Sequence, residues 1–320
     1  MLNNNFGYAC VNMQLSKPEK FGDKNLQKII SSRTMIKKTF LDRGLEYASQ
    51  LSLKNCKDLF TIIKWNKKNN FNFFRMTSDL FPWCSEYNLV DLPDYNEIFN
   101  ILSKIGDFVA INNMRITSHP GPFNVLTSKS ERVVENCIKD LSIHGEVFDI
   151  MKLSRTPYNK INIHIGGVYG DKELAMKRFC QNFYRLPESV KSRLTVENDD
   201  KASMYSVVDL YEGIYKVLGI PIVFDYHHHR FCDGGLNEED ALTLAISTWG
   251  NIKPVVHYSE SRNIEQKDNS IMPQAHSDYI YDYINTYENN LDIMVEAKHK
   301  ELAVLKYLKI HNKSFLNKNN

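Results

Sequence analysis

Strand-like apolar runs in this chain end repeatedly on a side chain able to bind a metal ion. These are His119, His164, Glu197, Asp225 with His228, His257 and Glu296, and His276 lies in the loop after the His257 run. A single histidine in such a place is as well explained by packing. Eight imidazoles and carboxylates at equivalent positions are different, because carboxylates crowded together away from water repel one another and lose solvation. Divalent cations remove that conflict. Imidazole mixed with carboxylate, without thiolate, suits zinc, manganese or iron better than calcium or magnesium, and eight ligands imply two or three ions. Such a cluster makes a nucleophile of water near neutral pH and steadies the attacking and leaving oxygens of a phosphodiester in in-line displacement. Hydrolysis of a phosphoryl bond is the leading chemistry. Glu197, near the middle of the strand order, is the natural bridging carboxylate.

In Phe224-Asp225-Tyr226-His227-His228-His229 the strand must end near Tyr226 if Asp225 and His228 are to address one ion. His227 and His229 then become supporting or substrate-facing groups, and spacing does not decide between these roles. Asp199 and Asp200 read as the N-cap and a surface acid of a helix beginning near Ser203.

The elements that must position these residues alternate throughout. Strand-like runs cover residues 6–12, 72–77, 114–118, 160–166, 194–198, 221–226, 253–258 and 291–296, and helical spacing covers stretches such as 44–69, 130–151, 171–184, 203–218 and 237–248. Repeated strand and helix fold into parallel units, and eight units closed into a barrel bring every strand's C-terminal end to one face. The sequence therefore predicts an α/β chain, a single (β/α)8 TIM barrel over residues 1–310 with a metal cluster at the C-terminal face of its strands. A flexible polar tail is expected over 311–320.

Two connections on that face are long, residues 15–43 and 259–274. The first carries Lys17, Lys28, Arg33, Lys37, Lys38 and Arg43, which would suit the phosphates of a polyanion or form a solvated charged loop. Gly166-Gly167-Val168-Tyr169-Gly170 before a helix could cradle a phosphate or make a tight turn. It lacks the dinucleotide fingerprint, and GxxxxGK[ST] and GxSxG are both absent, so no nucleotide cofactor is expected.

At 320 residues, with 42% hydrophobic and 24% charged residues, the chain is sized and composed for one such barrel. It contains no apolar run approaching the roughly 20 residues that span a bilayer. The six cysteines form no CxxC pair, arguing against a disulfide framework or a thiolate zinc site. No secretory signal is visible at the N-terminus. An intracellular protein is expected, cytoplasmic or, in a eukaryote, nuclear. The net charge of +2 does not by itself announce a nucleic-acid partner.

With these motifs assembled, the chain resembles the ultraviolet-damage endonucleases, repair nucleases related to endonuclease IV. The resemblance runs from the first strand to the last. It is carried by Gly7-Tyr8-Ala9-Cys10-Val11-Asn12, Arg33-Thr34, Phe74-Arg75-Met76-Thr77-Ser78-Asp79-Leu80-Phe81-Pro82, Ser118-His119-Pro120-Gly121 and Ile163-His164-Ile165-Gly166-Gly167. Further on it is carried by Glu197-Asn198-Asp199, Asp225-Tyr226-His227-His228, Val256-His257-Tyr258-Ser259, His276-Ser277-Asp278-Tyr279-Ile280 and Met294-Val295-Glu296-Ala297-Lys298.

The resemblance implies a manganese-dependent enzyme, with zinc as the alternative ion, that nicks damaged double-stranded DNA immediately 5′ to a pyrimidine dimer or other distorting lesion. The nick leaves 3′-hydroxyl and 5′-phosphate ends. It makes His119, His164, Glu197, Asp225, His228, His257, His276 and Glu296 the metal ligands, with Glu197, His228 and His257 central to catalysis. Tyr8 and Asn12 become the lesion-contacting pair, and Pro122 and Phe123 the wedge that fills the duplex where damaged bases leave the stack. Arg33, Lys37 and Lys38 are the candidate backbone contacts. Family members commonly carry Gln then Tyr in the wedge, and Lys two residues before the strand-seven histidine; this chain has Pro122, Phe123 and Val255 there. Val255 is expected to share the barrel interior with His257 by i, i+2 alternation.

Three other readings compete. An apurinic-site nuclease of the endonuclease IV type would share metals and barrel but read an abasic sugar. A metal-dependent sugar isomerase or epimerase would need neither wedge nor basic loop. A noncatalytic damage-binding protein should have lost ligands, and none is lost here.

Overall fold

In the computed structural model, which describes residues 4–311, eight parallel strands close in sequence order into a barrel. They are β1 (Asn5–Ala9), β2 (Phe73–Met76), β3 (Arg115–Ser118), β4 (Ile161–His164), β5 (Leu194–Glu197), β6 (Ile222–Asp225), β7 (Val255–Tyr258) and β8 (Asp292–Val295). β1 pairs with both β2 and β8, so no edge is left open. All eight expected strands are present, each shorter than its apolar run. This confirms the (β/α)8 fold.

Side-chain parity fixes what faces the lumen. Phe74, Ile116, Ile161, Ile163, Val196, Phe224, Val256, Ile293 and Val295 point outward into the apolar layer beneath the helices. Ala9, Phe73, Val223, Val255 and Met294 point inward and pack with Trp249 in a small dry cluster. At the N-terminal end a wholly buried Arg115 closes the lumen. Its Nη1 donates to Asp292 Oδ2 at 2.9 Å and to the Lys253 carbonyl at 2.9 Å, and its Nε donates to the Tyr158 carbonyl at 2.7 Å. Lys253 Nζ lies 2.7 Å from the other Asp292 oxygen, so the buried carboxylate faces two cations.

The helical layer follows the capping chemistry of the sequence. Asp171, Ser206 and Asn237 each accept a backbone N–H in the first turn of the helices they open. The long stretch Lys37–Lys68 is two helices meeting at Gly44, whose φ of +61° suits glycine. The expected helix beginning near residue 44 is thus the second of the pair. The last helix, Lys300–His311, includes His311, which therefore belongs to the barrel and not to the expected tail. Residues 312–320 of that tail lie outside the described residues. No described helix is long and apolar enough to cross a membrane.

Candidate metal centre

Register brings the proposed ligands together before any side chain turns. His164 on β4 pairs with Glu197 on β5, and Asp225 on β6 pairs with His257 on β7. Glu197, 1% exposed, sits at the middle of the convergence. Its Oε2 lies 3.2 Å from His119 Nε2 and 3.1 Å from His257 Nδ1, and its Oε1 lies 3.5 Å from His228 Nδ1. Two groups could each hold an ion, His119 with His164 and Glu197, and Glu197 with Asp225 and His228. Glu197 is common to both, the geometry expected of a bridging carboxylate. His257 Nδ1 is also 3.1 Å from Glu296 Oε1, and His276 Nδ1 is 3.8 Å from Glu296 Oε2. His257, Glu296 and His276 thus extend the cluster on one side.

Most of the imidazoles are anchored from behind. His119 Nδ1 faces the Pro120 carbonyl at 3.2 Å, His228 Nδ1 the Asn198 carbonyl at 2.9 Å, and His276 Nδ1 the Glu296 carbonyl at 2.8 Å. His164 Nδ1 lies 3.0 Å from Asp199 Oδ1. For His119, His228 and His276, donation from Nδ1 to these carbonyls leaves the Nε2 lone pair for the centre, the arrangement that orients histidine ligands around an ion, while His164 is placed by its charge contact with Asp199. His257 is reversed, with Nε2 against Lys160 Nζ at 3.1 Å and Nδ1 toward the carboxylates. The residues fit a divalent ion in a further respect. His257 Nδ1 and Asp225 Oδ2 are buried without a hydrogen-bond partner in the described structure, although charged groups surround them.

The electrostatics show the same crowding. Burial, reinforced by Glu197 and Glu296, raises the Asp225 carboxyl to about 6 against the pull of His228. Burial opposes the charged form of His164, but Glu197 and Asp199 carry its pKa up to about 9. His119 goes the other way, with burial outweighing Glu197 and lowering it to about 4.

A crevice of about 620 Å³ opens over the centre, lined in part by His119, Pro122, Gly167, His228 and Glu296. Comparison with known proteins is decisive at this point. The sequence profile described as UV-endonuclease UvdE matches residues 4–318. The chain belongs to the UV-damage endonuclease family. It is 31% identical over 310 residues to a putative UV-damage endonuclease of Acanthamoeba polyphaga mimivirus, covering 94% of this chain and 89% of that protein. It is 34% identical over 308 residues to the UV-damage endonuclease of Schizosaccharomyces pombe, covering 93% of this chain but only 49% of that longer protein. Among solved structures, SacUVDE superposes with a TM-score of 0.80 at 30% identity, covering 96% of this chain and 98% of that one. An L-ribulose 3-epimerase, at TM-score 0.50 and 11% identity, shares the fold alone.

The other expected site residues divide sharply. Pro122, which lines the crevice, and Phe123 beside it are both exposed, Phe123 at 64%. Lys37 and Lys38 are exposed at the start of their helix and make no ion pair among the described residues. Tyr8 and Asn12 are both buried in this structure. The reason is parity: Gly7 and Ala9 face the lumen, so Tyr8 faces the helices, packed against Phe71 and Phe74 with ring centroids at 5.3 and 5.1 Å. Its hydroxyl is bound by Asn66 and Asn12, and Asn12 Oδ1 caps the next helical turn at Leu15 N. Arg33 is likewise not a free backbone contact, since its Nη2 lies 2.7 Å from Asp58 Oδ2.

Three functional neighbours were not anticipated. Asp199 is no N-cap; it is buried against His164, and Ser206 caps the following helix in its place. Arg75, inward on β2 by alternation from Phe73, pairs with Glu296 and leaves a buried Nε without a partner. Lys160, one position before β4, fills the lumen beneath His257. Val255 does face inward beside His257 but belongs to the dry cluster, and the lysine next to that histidine comes from the residue just before β4. Alternation back from His164 through Asn162 was the available signal. His227 lies behind the centre, its Nε2 on the Gln274 carbonyl at 3.2 Å and its ring edge-on to His276 at 5.7 Å.

Proposed function

We propose that this chain is a DNA repair endonuclease that hydrolyses the phosphodiester immediately 5′ to UV photoproducts, leaving 3′-hydroxyl and 5′-phosphate ends. The observation that carries the chemistry is Glu197, shared by both three-residue groups and ringed by imidazoles supported from behind. His119, His164, Glu197, Asp225, His228, His257, His276 and Glu296 would hold two or three divalent cations, manganese by the family resemblance. When bound, such ions supply charge neutralisation at phosphorus and lower the pKa of an attacking water.

The chain's own residues do the rest. Asp199, with the Asn198, Pro120 and Glu296 carbonyls, fixes the ring orientations, so little reorganisation is needed when substrate arrives. Arg75 holds Glu296 in place. Exposed Lys37 and Lys38 give sequence-independent attraction for duplex phosphates. Phe123 fills the gap left when damaged bases leave the stack, with Pro122 stiffening the loop that presents it. Water attacks phosphorus in line with the departing 3′-oxygen, which leaves as the 3′-hydroxyl while phosphate stays on the 5′ end of the other fragment.

Glu197→Gln tests the reading, because it keeps the shape and removes the shared charge. It should lose bound metal and nicking of a dimer-containing duplex while circular dichroism shows a folded barrel. Wild-type cleavage with unchanged metal content would remove Glu197 from the centre.

A further inference from the structure

The glycine-rich turn after β4 takes no part in the metal centre. It is not a phosphate cradle either, since Asp171 Oδ1 accepts Leu174 N at 2.9 Å and closes the following helix N-terminus with a carboxylate. Its glycines serve another purpose. Gly166 has φ +103°, and a Cβ there would lie 2.6 Å from Val125 Cγ1 and 2.9 Å from Thr127 Oγ1. The turn is therefore pressed onto the segment that carries Pro122 and Phe123. A Cβ on Gly167 would lie 3.0 Å from the Tyr169 ring, so that ring lies over bare backbone.

Tyr169 itself has φ +52°, a left-handed conformation unfavourable for a residue with a Cβ. Yet the residue is 42% exposed and its side chain is not spent on the core. Lys129 Nζ is 5.8 Å and Arg178 Cζ 5.5 Å from the ring centroid. Arg178 is held by its Nε to the Thr127 carbonyl at 2.8 Å, while its Nη2 is buried without a partner. A strained backbone that presents an exposed aromatic between two cations, two residues along the turn from Gly167 in the crevice lining, is built to receive something flat and anionic at its edges.

We propose that Tyr169 is a second stacking platform, which receives a nucleobase displaced from the duplex while Lys129 and Arg178 face its flanking phosphates. The proposal rests on the repair-endonuclease reading and deepens it. Because Gly166 couples this turn to the wedge segment, Phe123 fills the gap in the duplex and Tyr169 holds what has left it. The ligand class is an unstacked base in DNA, recognised by its face and not by its hydrogen-bonding edge.

Fluorescence anisotropy of the full chain with Mn²⁺, on a dimer-containing duplex and its undamaged counterpart, tests this, with nicking of the same duplex measured in parallel. Tyr169→Ala should weaken binding of the damaged duplex by about 5- to 150-fold, the range of one lost base stack. Tyr169→Phe should stay near wild type, and undamaged binding should barely move. Tyr169→Gly removes the ring and relieves the backbone, so it should show the same binding loss with an equal or higher thermal unfolding midpoint. If wild type nicks the damaged duplex and both Tyr169→Ala and Tyr169→Gly bind it as tightly, the platform is overturned and the endonuclease reading stands. If Tyr169→Phe falls as far as Tyr169→Ala, the contact is through the hydroxyl and stacking is overturned. If wild type neither prefers nor nicks the damaged duplex, the endonuclease reading fails and takes the platform with it.

Discussion

Lys160 gives the most quantitative handle on the barrel interior. It is wholly buried, its Nζ is 3.1 Å from His257 Nε2, and burial lowers its pKa from 10.5 to about 7 against the opposing pull of Glu197. Lys160→Met keeps the length of the side chain and removes the amine. A displacement of that size is worth roughly 5 kcal/mol at about 1.4 kcal/mol per pH unit, so the metal-free fold bears this cost below the folded pKa. Between pH 7 and 10.5 the unfolded chain holds the proton that the folded chain has lost, and wild-type stability rises with pH through that window. The Met variant does not share the rise. From about pH 6 to about pH 9, wild type should gain about 3 kcal/mol relative to the variant, which should be the more stable protein at the lower pH. Urea unfolding of chelator-treated protein at both values reads the gap. The same substitution removes the support behind His257, and loss of such a partner typically weakens metal affinity about 10- to 100-fold. Titration of Mn²⁺ into metal-free protein measures that. A gap independent of pH together with unchanged Mn²⁺ affinity would refute the account of Lys160.

Phe123 is 64% exposed, so Phe123→Ala should cost the fold less than about 1 kcal/mol. Anisotropy should nevertheless show damaged-duplex binding weakened by about 5- to 150-fold, with Phe123→Tyr nearly neutral. At the closed end of the barrel, Arg115→Met removes one of the two cations on Asp292. Because Lys253 remains, the loss should sit near the lower end for a broken buried pair, about 3 kcal/mol in urea unfolding, with Mn²⁺ affinity untouched. Replacing Lys37 and Lys38 together with Gln should lower the slope of log affinity against log salt by about one to two units, and an unchanged slope would make them solvated surface charges.

The architecture was legible because its signal is periodic. Six of the eight strand-like runs carried ligand-type residues at their ends, and an eight-unit barrel has one face on which such ends meet. Glu197 stood out by its place in the strand order, and it is the residue shared by the two groups. What escaped the sequence depends on contacts between strands. Asp199 looks like any acid before a helix until His164 is beside it, and Lys160 looks like the first residue of an apolar run until its Nζ reaches His257 across the lumen. Tyr8 is a different case, since its parity, read against Gly7 and Ala9, sends it outward toward the helices, and a lesion contact for it rests on the family resemblance alone.

The central claim is that the cluster around Glu197 cuts DNA beside UV damage. An end-labelled duplex carrying one pyrimidine dimer, incubated with the protein and Mn²⁺ beside matched undamaged and abasic duplexes, tests it most directly. The account predicts one nick immediately 5′ to the dimer, with a 3′ end that a polymerase extends, no nick in the undamaged duplex, and loss of the product on chelation. Cleavage of the abasic duplex alone, a product that cannot be extended, or undiminished cleavage in chelator would contradict it.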